Sequence, residues 1–147
     1  MAQTTFSGPV VSTNGFTGTL TGNVVNPVIT HTPTAINATA TATAAQVATG
    51  YITSTSAAPT TITLPTGTLL GAALGAVQGS VFNLVIDNTA GASTVTIAVA
   101  VNGILSDAAT TTAASFGQLT VAAGVTGQGM FTLMFSSATA YVFTRTA

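Results

Sequence analysis

The chain of 147 residues is almost without charge: its one basic residue is Arg145 and its two acidic residues are Asp87 and Asp107. Acid–base catalysis, hard-cation binding and phosphate recognition all need ionisable groups in clusters, which so few dispersed charges cannot supply. There is no cysteine, which excludes a disulfide framework, a thiolate metal site and a thiol nucleophile. His31 is the single histidine, and with two distant carboxylates it falls short of a zinc ligand set. A triad of His31, Asp87 or Asp107 and a serine is formally available, but no Gly-x-Ser-x-Gly elbow is present and His31 sits in an irregular segment. No catalytic residue, metal ligand or cofactor site is therefore assigned, and the expectation is a protein that is not an enzyme. Lysine is absent as well, so the lone Arg145 cannot form a phosphate-binding surface and no nucleic-acid partner is expected. The N-terminus, Met1-Ala2-Gln3-Thr4-Thr5, lacks the basic and apolar regions of a secretory signal, which points to a chain made and retained in a cytoplasm.

What is present favours folding. Apolar residues make up 47% of the chain with Thr and Ala dominant, the reverse of the low hydrophobicity and high charge of disordered segments. The length suits one compact domain. A net charge of −1 gives almost no colloidal repulsion, so association is the expected working state.

One stretch calls for a membrane test. Gly67 to Ile86 runs uncharged for close to a bilayer's length, and Gly67, Gly71, Gly75 and Gly79 recur at the small-xxx-small spacing of lipid-embedded helix pairs. Gln78, Ser80 and Asn83 interrupt the run and no basic or aromatic belt flanks it, so it is read as a short water-soluble helix over Thr66 to Ala76 followed by a separate strand. No membrane partner is expected.

The organisation changes near residue 42. Residues 1–42 are rich in Gly, Asn, Pro and Thr, with short apolar pieces at Val10-Val11, Val24-Val25 and Val28-Ile29 between turn signals. They read as an extended N-terminal arm or a few edge strands needing a surface to lie on: the rest of the chain, a neighbouring copy or another protein. Phe6, Phe16, Val24, Val25, Val28 and Ile29 are its candidate partner-binding anchors, with burial in their own subunit as the alternative.

Residues 43–147 read as an all-β domain. Thr43 is placed to cap a helical turn over Ala44 to Ala48 that Gly50 ends. Strands are expected at Tyr51 to Ser54 and Thr61 to Leu64, and at Val81 to Ile86, which is apolar over much of both faces and should lie in the core. Asp87 to Gly91 then turns the chain so that Val95 to Val99 returns as the partner of that strand. Further strands follow at Ser115 to Val121, Met130 to Phe135 and Tyr141 to Thr144. Short strands with a turn about every ten residues predict a small β-sandwich, jelly-roll or Greek-key like, with one short helix. Threonine suits a strand face that is wet but neutral, and such a face can be buried without stripping water from an ion. Asp87 should bond to its own turn, Asp107 should cap or turn the loop from Ser106 to Thr112, and Arg145 should pair with a carboxylate or a symmetry mate.

The order of several pieces resembles a module of tailed-bacteriophage capsid decoration, cement or head-fibre proteins. These are Thr43-Ala44-Ala45-Gln46, Gly50-Tyr51-Ile52-Thr53, Thr61-Ile62-Thr63-Leu64-Pro65-Thr66, Ile86-Asp87-Asn88-Thr89, Thr94-Val95-Thr96-Ile97 and Phe135-Ser136-Ser137-Ala138-Thr139-Ala140-Tyr141. The resemblance covers roughly residues 43–145 and leaves the arm outside. It implies a structural virion protein on the outer capsid surface, assembled in the host cytoplasm, bound to the major capsid protein and commonly a homotrimer. The rival class is a surface adhesion module for host glycans. That rival belongs to ligand-binding surfaces for carbohydrate, host cell or ice: Thr39, Thr41 and Thr43 would share one face of an extended tract, in the manner of threonine arrays that template water, while the lack of stacked repeats speaks against such an array and the lack of Trp against carbohydrate binding.

Overall fold

The computed structural model describes residues 30–105 and 119–146. They are mostly strand, arranged in two mixed sheets with few helices. The strands are β1 (Thr34–Ala35), β2 (Ala40–Thr41), β3 (Tyr51–Thr53), β4 (Thr60–Thr63), β5 (Val81–Asp87), β6 (Val95–Ala98), β7 (Gly103–Leu105), β8 (Thr120–Val121), β9 (Gln128–Ser137) and β10 (Ala140–Arg145). The helices are α1 (Ala44–Ala48) and α2 (Gly67–Leu74), with a short 3-10 turn at Gly124–Thr126. One sheet has six strands in the order β1-β3-β5-β9-β10-β7, and the other four in the order β2-β4-β6-β8.

The chain winds between the sheets. β1, β3 and β5 lie side by side and parallel in the larger sheet, while β2, β4 and β6 do the same in the smaller one. Each strand pair is thus one coil, and α1 and α2 carry the chain from the smaller sheet back to the larger after the first and second coils. The two helices occupy equivalent places and pack against each other. The expected lack of stacked repeats is thereby revised: a strand–strand–helix unit occurs twice and a third strand pair follows without its helix. An antiparallel β9–β10 hairpin completes the larger sheet, β9 lying along β5.

Three expectations change accordingly. The parallel pairings depart from the antiparallel ladders of a jelly-roll or Greek-key order, and the described residues hold two α-helices where the fold class had one, at the two segments that were each read as helical. Val95 to Val99 is not the partner of Val81 to Ile86, because β6 pairs with β4 and β8 in the other sheet. Asn88 directs that turn. It is fully buried, and its Nδ2 donates to the carbonyls of Ser93 at 2.8 Å, Ala122 at 2.9 Å and Val121 at 3.3 Å, drawing the chain away from β5 toward β8.

The helix ends follow their local chemistry. Thr43 and Gln46 form a reciprocal capping box on α1, and Gly50 leaves it at φ 75°. Thr66 accepts from the Leu69 N–H to cap α2, and Gly75 ends it in the left-handed region at φ 60°. Two of the four glycines of this stretch, Gly67 and Gly71, have a packing explanation, while Gly75 and Gly79 stand at positive φ with open space around them. A Cβ on Gly67 would strike the Thr139 carbonyl oxygen and one on Gly71 the Ala138 carbonyl oxygen, so this face of α2 rests on the β9–β10 turn. No helix among the described residues is long and apolar enough to cross a membrane.

Both sheets feed one hydrophobic cluster. Ile62, Val95, Ile97 and Val121 come from the smaller sheet, and Ile52, Leu84, Ile86, Phe131, Leu133, Tyr141 and Phe143 from the larger. Phe131 and Phe143 stack at 5.0 Å between ring centroids, and the Tyr141 hydroxyl donates to the Pro65 carbonyl at 3.0 Å. Within residues 30–42, expected to belong to the arm, Ile36 and Ala42 are buried in this cluster, and β1 and β2 supply the edge strands.

Candidate docking surface

Strand alternation sends Leu84, Ile86, Phe131, Leu133 and Phe135 inward and leaves the intervening residues of β5 and β9 on the outer face of the six-stranded sheet. On that face register aligns side chains in rows, since directly opposed residues point the same way. Val81 opposes Met134, Met134 opposes Val142, and Val142 opposes Ile104, giving an apolar row across β5, β9, β10 and β7. Three of its members stand well into solvent, Val81 at 64% exposed, Ile104 at 57% and Met134 at 42%, and Val142 between them is half-buried. The expectation that Val81 to Ile86 lies wholly in the core therefore holds for its inward half alone, because nothing among the described residues covers the other face.

A polar row lies next to it, where Thr132 Oγ1 donates to Asn83 Oδ1 at 3.0 Å. A second apolar group follows: Val85 opposes Tyr51 on one side and Met130 on the other. At the end of the face, Asp87 is its single formal charge among the described residues, and both carboxylate oxygens are engaged. The Tyr51 hydroxyl donates to Oδ2 at 2.7 Å, and Thr89 donates to Oδ1 from its hydroxyl at 2.6 Å and its N–H at 2.9 Å. These bonds, the Thr89 hydroxyl first, hold the Asp87 carboxyl below its ordinary pKa, so it stays ionised. The Tyr51 phenol is pushed up, chiefly by the bond that it gives to that carboxylate. Asp87 thus does the turn-bonding expected of it and also fixes Tyr51.

Two shallow grooves cross this face and share Val85 and Met130. One, of about 410 Å³, is lined by His31, Val81, Phe82, Asn83, Val85 and Met130. The other, of about 350 Å³, runs on over Gln128 and Gly129. His31 is exposed at the rim, where its Nδ1 donates to the Thr49 carbonyl at 2.7 Å. His31 thus spends Nδ1 on main chain, and Asp87 is held by Tyr51 and Thr89. No group of three or more His, Cys, Asp or Glu that could hold a metal ion exists among the described residues. What the face offers is dispersion contact and neutral hydrogen bonding.

The other sequence candidates divide between these contacts and the undescribed segments. Phe6, Phe16, Val24, Val25, Val28 and Ile29 lie outside the described residues, as does Asp107. Arg145 donates to the Thr120 carbonyl at 2.8 Å and lies 5.9 Å from the centroid of the Phe131 ring, so it ties β10 to β8. The threonine tract serves the fold: Thr39 Oγ1 accepts from the Thr61 N–H at 3.1 Å and Thr43 caps α1. Met130, Met134, Val142 and Ile104 were not singled out from sequence as surface residues. In β9 the signal was a second apolar set, Met130 and Met134, alternating out of phase with Phe131, Leu133 and Phe135.

No protein-family model matches this chain, and no curated protein or solved structure is significantly similar to it.

Proposed function

We propose that the chain is a structural virion protein that decorates or reinforces the outer surface of a tailed-phage capsid, bound to the major capsid protein as a symmetric trimer. The observation that carries this reading is the apolar row Val81, Met134, Val142 and Ile104 on an open sheet face whose one charge, Asp87, is held by its own turn. Seating such a face on a partner removes apolar surface from water at about 25 cal/mol per Å² and dehydrates few ions, a step that costs several kcal/mol per charge. Three copies held by symmetry let weak contacts add at high effective concentration. The single cluster fed by both sheets supports the finer reading of the fold as a two-layer sandwich.

The test is the mass of the purified chain in solution and its co-sedimentation with capsids at low and high salt. A trimer that stays on capsids at high salt is expected, since there are few charges to screen. Met134→Lys, at an exposed position, should leave the fold intact and weaken capsid binding about 10-fold or more. A monomer that ignores capsids and binds glycans would replace this reading with adhesion. Binding that collapses with salt, or that Met134→Lys leaves unchanged, would remove the neutral face as its basis.

A further inference from the structure

We infer that the outer face of the four-stranded sheet is a water-ordering array of threonines and that it binds the surface of ice. This is independent of the capsid reading, which rests on the other sheet. An array of that kind needs like side chains repeated on stacked strands, and the winding of the chain supplies them: β2, β4 and β6 run parallel and side by side. Burial alternates along β4 and β6, with Thr60, Ile62, Val95 and Ile97 inside and Thr61, Thr63, Thr96 and Ala98 outside. Register gathers the outward residues into two ranks. Thr61 opposes Thr96, which opposes Thr120 of β8, while Thr41 opposes Thr63, which opposes Ala98.

Neighbouring strands lie about 4.8 Å apart and residues two apart on one strand about 6.6 Å, so the five threonines stand on a grid with these two repeats. Hydroxyl oxygens on such a grid fall close to the oxygen positions on a prism face of ice, where each can stand in for a lattice water. None of the five hydroxyls bonds to protein among the described residues, whereas Thr39, Thr43, Thr60 and Thr66 on the flanks engage theirs with main chain. All five therefore keep their donor and acceptor sites for water. Branching at Cβ restricts their rotamers and the ladder holds their backbone, so little freedom is lost when water orders on them. No residue of these four strands carries a formal charge that would organise water around itself; Arg145, which donates to the Thr120 carbonyl, borders the array at β8. The outward residues are threonine and alanine with no aromatic ring among them, which favours a water lattice over a stacked sugar as the occupant.

Ice grown slowly from a dilute solution of the full chain tests this, because growing ice rejects solutes that do not bind it. The chain should pass into the ice fraction, and single crystals grown in its presence should become faceted. Thr96→Lys, in the middle of the longer rank, should lower the share taken up about 10-fold or more, since the added charge would have to be dehydrated against the lattice. Thr41→Lys, at an exposed position on an edge strand, should do the same without touching the core. Met134→Lys adds the same charge to the other sheet and should be taken up as the parent is. Denaturation midpoints equal to the parent's show that the variants compared are folded. Exclusion of the parent chain from ice overturns the proposal. Uptake that both threonine variants leave unchanged, or that Met134→Lys lowers as much as they do, overturns the assignment to this face.

Discussion

Replacing Gly71 by alanine sets two opposite effects on one residue. In a helix free of neighbours the substitution favours folding by about 1 kcal/mol, because alanine loses less backbone entropy than glycine. In this fold the added Cβ would run into the Ala138 carbonyl oxygen, with the Phe135 ring at 3.5 Å behind it. A main-chain oxygen in the tight β9–β10 turn cannot rotate aside as a side chain can, so the helix or the hairpin must shift. Overpacking costs roughly 1–3 kcal/mol, and a backbone obstacle belongs at the upper end. After the propensity gain the expected loss is about 2 kcal/mol. For a domain of this length that lowers Tm by about 4–8 °C. Urea denaturation should show an earlier midpoint with an unchanged slope. Ala73→Gly, on the exposed side of α2, is the control and should cost about 1 kcal/mol through propensity alone. A Gly71→Ala protein as stable as its parent, or more stable, would refute the seating of α2 on the hairpin.

Burial pushes the Tyr141 phenol up to about 12, so its stabilising effect is complete below the ordinary value of 10.0 and is lost as pH rises through about 12. Tyr141→Phe should flatten this alkaline fall in denaturation midpoint, measured in a Tyr51→Phe background because Tyr51 is shifted the same way. Asp87 is shifted down, so what it contributes is present above 3.8 and is lost as pH falls through its lower folded value. Asp87→Asn should make the acid limb of the stability profile shallower, and an unchanged limb would show that the Thr89 and Tyr51 bonds are immaterial. Asn88→Asp would place a buried carboxylate against the carbonyls of Ser93, Val121 and Ala122. It should cost about 3–5 kcal/mol by chemical denaturation, and a loss below about 1 would mean that this turn is wetter than its burial suggests.

Features encoded over a few residues were legible in the sequence. Thr43 with Gln46, and Gly50 after them, specify α1 through side chains that reach neighbouring main chain. Alternation likewise located β4, β6 and β9, whose odd and even residues have different burial. Sheet membership was not legible, because it depends on where a turn sends the chain. The segment from Asp87 to Gly91 looks like a hairpin turn, yet the buried Asn88 amide bonds to β8 and its flank and takes the chain into the other sheet. The repeated unit was hidden for a related reason: α1 and α2 differ in length and share little beyond a capping threonine and a glycine at positive φ after the last turn, so equivalent places are filled by unlike sequence. The docking face was half legible. Uncharged composition predicted a neutral surface, but an apolar strand does not declare which of its faces meets the core.

That face carries an energetic argument of its own. Leaving a Val, Ile or Met side chain in water forgoes up to about 1.5–3 kcal/mol of burial, and Val81, Ile104 and Met134 each do so in one row. Isolated exposed hydrophobes are ordinary on protein surfaces and need no explanation, whereas a row aligned by register across four strands is a contiguous patch. In a chain rich in charge, neighbouring Lys or Glu stems could shield such a row and oppose association. Here one Arg and two Asp are all there is, and the Asp on this face is bound to its own turn. The row therefore lacks the shielding that charged stems give, and burying it against the partner proposed above would remove its apolar surface from water while dehydrating few ions.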